Sequence, residues 1–104
     1  MNLRELLEDE ATELPGATPS LGADGSTTWS RGNRPFAVAA ADGSSAEFAL
    51  DAAVAEAAAR TPDVGLSSRG PGWVSFAPAE LDDHAADRAV AWLASAHRRL
   101  GLRN

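Results

Sequence analysis

The sequence predicts an α+β fold, a two-layer sandwich with helices at both ends of the chain packed on an antiparallel sheet of about five strands. Three observations carry this. Leucines recur at helical spacing near the amino terminus, and a stripe of alanine, valine and leucine recurs over residues 83–100. Between the two lie short segments of period-two alternation, separated by Gly, Asn, Asp and Pro.

Each element follows in turn, in the order α-β-β-β-α-β-β-α. Residues 2–14 read as a helix capped by Asn2, with Leu3, Leu6, Leu7, Ala11 and Leu14 on one side and Pro15-Gly16 as its stop. Residues 15–26 read as a loop by composition, the most mobile segment expected in the chain. Thr27 to Arg31 is a short strand turned by Gly32-Asn33, and Pro35 to Ala41 sets Phe36, Val38 and Ala40 on one face. Asp42-Gly43 predicts a type I′ hairpin into Ser45 to Leu50, where Ala46, Phe48 and Leu50 alternate. Asp51 is placed to cap a helix from Ala52 to Arg60. Val64 to Ser68 and Trp73 to Ala77 are strands around an Arg69-Gly70-Pro71-Gly72 turn. The last helix starts at Asp82 or Asp83 and ends before Gly101, with Ala86, Ala89, Val90, Leu93, His97 and Leu100 inward. Two long helices and one short one leave a sheet face partly open. Phe36, Val38, Phe48, Val74 and Phe76 are expected toward the helices, and Ala37, Ala39, Ala49, Ser75 and Trp73 away from them.

A chain of 104 residues and 10.8 kDa holds one domain, residues 1–104, and one core. Twenty-three residues are alanine, all nine basic residues are arginine, and lysine, isoleucine, tyrosine, glutamine and cysteine are missing. The lack of cysteine removes disulfides and thiolate chemistry, and the lack of lysine removes Schiff bases and a P-loop lysine. The bias toward GC-rich codons points to a high-GC bacterium and a cytoplasmic protein. No apolar run reaches the length of a membrane span, and the acidic start lacks a signal-peptide pattern. A net charge of −6 sets the chain against duplex nucleic acid. A monomer or weak homodimer is expected.

Several short segments together carry a family resemblance. They are Leu14-Pro15-Gly16 after the first helix, Gly32-Asn33-Arg34-Pro35-Phe36-Ala37-Val38, Phe48-Ala49-Leu50-Asp51 and Gly72-Trp73-Val74-Ser75-Phe76 before a long terminal helix. The chain resembles the MmcQ/YjbR-like proteins, small bacterial domains with a CyaY-like fold often labelled DNA-binding-like. The resemblance covers nearly the whole chain. It implies a fold and a binding role, and no catalytic site. The Gly-Trp-Val-Ser-Phe segment is also similar to a stretch of small luciferase-domain proteins.

Candidate functional residues fall into two groups. The first is the pair of arginine-aromatic turns, in which Trp29, Arg31, Arg34, Arg69 and Trp73 would form a contact surface for a protein or a small anionic ligand. The second is an acidic ridge on the first helix, Glu5, Asp9 and Glu13 at spacings of four; the resemblance to CyaY-like proteins implies a metal-handling use for it. A solvated helix face has the same pattern. No Gly-x-Ser-x-Gly element occurs, His84 lacks visible co-ligands, and His97 reads as a buried helix-end histidine. The reading is therefore a non-catalytic binding or interaction module without a cofactor, with metal handling as the alternative.

Overall fold

The computed structural model of the chain describes residues 1–101. Helices α1 (Leu3–Ala11), α2 (Ala52–Ala58) and α3 (Asp83–Gly101) accompany strands β1 (Ala17–Leu21), β2 (Thr27–Arg31), β3 (Arg34–Ala39), β4 (Ala46–Ala49), β5 (Val64–Leu66) and β6 (Trp73–Phe76). The strands form one antiparallel sheet in the order β1-β2-β3-β4-β6-β5. This is the expected α+β architecture with one strand more than the sequence pattern discloses.

The added strand is β1, inside the segment expected to be a loop. Four of its residues are solvent-exposed, so no apolar alternation marks it. Its backbone nevertheless pairs with β2 from Ala17↔Arg31 to Leu21↔Thr27. The Gly22 N–H bonded to the Ser26 carbonyl at 2.7 Å fixes the phase of that ladder. In this phase the ring nitrogen of Pro19 points away from β2, toward the outer edge, where its lack of a hydrogen costs nothing.

The turns differ in detail from expectation. Gly32 and Asn33 both have positive φ, 57° and 66°, so the type I′ hairpin lies between β2 and β3. Between β3 and β4 only Gly43 is left-handed, with φ 73°. There the Gly43 N–H closes a turn on Ala40 O, and the Asp42 carboxylate accepts from the Ser44 hydroxyl and N–H at 2.7 and 2.9 Å. The Ser44 hydroxyl, and then its N–H, hold the Asp42 carboxyl below its ordinary value.

The β2–β3 pairing shifts between Trp29 and Ser30, whose partners are Ala37 and Pro35. Phe36 is the extra residue of this bulge. It joins Ala37 in the same buried cluster, facing the helices. The rest of β3 is thereby displaced in phase. Ala37 pairs with Phe48, and Ala39 with Ala46, on the helix-covered face, whereas Val38 pairs with Glu47 on the other. The expected outward placing of Ala37 and Ala39, and the inward placing of Val38, are corrected by this one residue. Ala49, Ser75 and Trp73 lie away from the helices as expected, and Phe36, Phe48 and Phe76 share the covered face.

α1 begins at Asn2, which forms a reciprocal capping box with Glu5. It ends at Ala11, one turn short of the expected Leu14. Asp82 caps α3 by accepting from the Ala85 N–H at 2.9 Å. Asp51 stands at the start of α2 without capping it; its carboxylate meets Arg99 at 3.3 Å instead. The core cluster takes Leu3, Leu7 and Ala11 from α1, Ala55 and Ala58 from α2, and Ala85, Ala89, Leu93 and Ala96 from α3. All three helices therefore cover one face. Trp92 of α3 packs edge-on to Phe76 at 5.1 Å and lies 6.1 Å from Phe48.

Gly43 gives this fold a sharp test. A Cβ there would overlap the Asn2 side chain, which caps α1, and the φ of 73° resists a β-branched residue. Gly43→Val should cost about 2–3 kcal/mol and lower Tm by roughly 10–20 °C in calorimetry. A Tm within 3 °C of wild type, on the same size scaling, would show that neither the turn nor the cap has this geometry.

Candidate functional site

The β2–β3 turn and the β5–β6 loop lie at the same end of the sheet, because β3 and β6, the strands that leave those connections, run in the same direction. Their arginines nevertheless do different things. Arg31 projects on the helix side, and its Nη1 donates to the His97 carbonyl in the last turn of α3 at 3.0 Å. A cation at a helix carboxyl end interacts favourably with the dipole there. His97 is only 7% exposed. Its Nε2 lies 2.6 Å from the Pro15 carbonyl, so that nitrogen carries the hydrogen, and Nδ1 is left to face Arg31 at 3.5 Å. Phe36 meets the ring edge-on at 5.6 Å. Arg31 and His97 thus tie β2, α3 and the α1–β1 connection together.

Arg69 lies on the opposite, helix-free side. Its Nε donates to Glu47 Oε1 at 2.9 Å, and its guanidinium sits 5.7 Å above the Trp73 ring. The Ser67 hydroxyl donates to the other Glu47 oxygen and accepts from the Arg69 N–H at 3.1 Å. The β5–β6 loop is therefore folded back over the sheet, and one carboxylate holds it. Thr28, Ser30, Glu47, Trp73 and Ser75 populate this face, and the Arg69 side chain remains 44% exposed. Arg34 is exposed and makes no hydrogen bond or ion pair among the described residues.

The five residues expected to form one contact surface are therefore divided. Arg69 and Trp73 are together. Arg34 is at the same end of the sheet. Arg31 is committed to α3. Trp29 is 2% exposed and belongs to the core; its indole stacks on neither arginine among the described contacts.

The acidic ridge is also divided. Glu5 accepts from the Asn2 N–H at 3.1 Å, Asp9 is exposed on α1, and Glu13 lies beyond the end of the helix. The spacing of four assumed a helix one turn longer. Among the described residues no group of three or more His, Asp or Glu side chains is placed to hold a metal ion. His84 is exposed on the first turn of α3.

Glu47, which is not among the expected contact residues, holds this arrangement together. Its signal was available: an acid between Ala46 and Phe48 on a strand must face away from the core. Its pairing with Arg69 spans a separation that local pattern does not report.

Comparison with known families and with curated proteins returns no match for this chain. Among the described residues no helix is long and apolar enough to cross a membrane.

The two classes of arginine separate in a stability experiment. Arg31→Ala should cost about 1–2 kcal/mol in urea unfolding, since a charged hydrogen bond to a helix-end carbonyl is lost. Arg34→Ala should lie within about 0.5 kcal/mol of wild type. Equal effects would remove the structural role assigned to Arg31.

Proposed function

We propose that the chain is a non-catalytic binding module that engages an anionic group, on an acidic protein segment or a small ligand, through the helix-free face of its sheet. The single observation that carries this is the Glu47–Ser67–Arg69–Trp73 arrangement. It fixes a guanidinium over an indole on a face that no helix covers, with only the Nε of Arg69 directed at Glu47. Ordering such a side chain in advance lowers the entropy cost of binding. Arg34 lies at the same end of the sheet, but as the direct partner of Arg31 it belongs to the helix side and is not part of this face. Among the described residues both histidines belong to α3, on the other side of the sheet, His97 buried and His84 on its first turn, so neither stands beside the Ser67 hydroxyl.

Membership of the MmcQ/YjbR-like group, a bacterial origin and a cytoplasmic setting belong to the same proposal. The family reading rests on the short segments that resemble that group, such as Gly72-Trp73-Val74-Ser75-Phe76, and the origin on the alanine- and arginine-rich composition. A net charge of −6 favours a protein or small-anion partner over duplex nucleic acid.

The experiment is a titration of the ¹⁵N-labelled chain with inorganic phosphate, a nucleotide panel and a poly-glutamate peptide. Saturable shifts are expected at Arg69 and at the Trp73 indole N–H. They should weaken with added salt and fall at least roughly fivefold in affinity in Arg69→Ala. Shifts that survive Arg69→Ala unchanged, or that cluster elsewhere, would refute this face as the contact surface.

A further inference from the structure

On the helix-covered side, the helical layer stops short of the β1 edge. The opening is a cleft of about 350 Å³ between α1 and β1. Trp29 lies at its base, Ala11, Ala17 and Pro19 give it apolar walls, and Glu8 and Asp9 stand at its rim. We propose that this cleft binds a small organic cation: an ammonium group on a short apolar arm.

The size is that of a small-molecule site. The charge is complementary and only partly satisfied. Asp9 has no ion-pair partner among the described residues. Glu8 meets only Arg4, at 3.4 Å in an exposed pair, and Arg4 directs Nη1 to the Ala41 carbonyl at 2.6 Å. An ammonium between the two carboxylates sets its arm against Ala17 and Pro19, above Trp29.

Two alternatives fit less well. A peptide strand could not ladder onto β1, because Pro19 presents no N–H at that edge and the Ala17 N–H is bonded to the Leu14 carbonyl at 3.2 Å. A hard cation such as calcium takes six to eight oxygens, which this apolar-walled cleft does not supply. The site is on the opposite side of the sheet from Trp73, so it stands or falls independently of the anion-binding face.

The test titrates the ¹⁵N-labelled full chain with phenethylammonium chloride. Phenethyl alcohol and a capped Phe-Lys-Phe tripeptide serve as the neutral and peptide arms. Saturable shifts are expected at the amides of residues 8–12, 17 and 18 and at the Trp29 indole N–H. Glu8→Gln with Asp9→Asn should weaken binding roughly fivefold or more, with an unchanged Tm, and Glu56→Gln should leave affinity as it is. The proposal is overturned if no saturable shift appears, if the alcohol binds as tightly as the amine, or if the double variant binds normally. Tighter binding of the tripeptide would also overturn it, by making the cleft a dock for a protein side chain.

Discussion

The bulge at Phe36 is the constraint on which the rest of the molecule depends. A sheet covered on one face needs its large side chains in phase across neighbouring strands. Strand β3 meets this demand by inserting one residue, so that Phe36 and Ala37 both turn toward the helices. The consequences spread outward from there. Phe36 reaches His97, Trp29 and Phe48 flank Ala37, and Val38 passes to the other face beside Glu47. Without the extra residue the two halves of β3 could not both keep their present faces, since a one-residue slip exchanges every side chain between core and solvent.

The core built on this register is thin. Alanines supply many of its positions, and most of the buried volume comes from Trp29, three phenylalanines and a few leucines. Small helix-facing residues bring α3 close to the sheet but bury little area each. Polar ties therefore matter more than usual. Arg31 and His97 hold the carboxyl end of α3 to β2 and to Pro15, while Asn2 links the start of α1 to the Gly43 turn. On the other face, Glu47 does the same for the β5–β6 loop. Each face thus has a side-chain anchor at the same end of the sheet, one half-burying its arginine and the other leaving it more exposed.

Much of the fold was legible in local pattern. The leucine stripe of α1, the Phe48 alternation in β4 and the caps Asn2 and Asp82 all report their elements directly. What local pattern could not report was pairing. β1 carries polar, exposed residues and owes its existence to β2, so composition alone marks it as a loop. The bulge is likewise a relation between two strands. The candidate site was half legible. Arg69 and Trp73 lie close in sequence and meet in space, but Arg31 is drawn away by a helix end distant in the chain, and Trp29 by the core. Trp92, beside Leu93 but outside the expected inward stripe of α3, completes the aromatic core against Phe48 and Phe76.

The central claim is that one bulge sets a single covered face and a single helix-free face. Solvent relaxation enhancement by a neutral gadolinium chelate, read at side-chain protons, tests it most directly. The account predicts strong enhancement at Thr18, Ser20 and Thr28, and little at Ala37, Ala39, Ala46 and Phe48. Strong enhancement at Ala37 and Ala39, with protection of Thr28, would mean that β3 runs without the bulge and that the two faces are assigned the wrong way round.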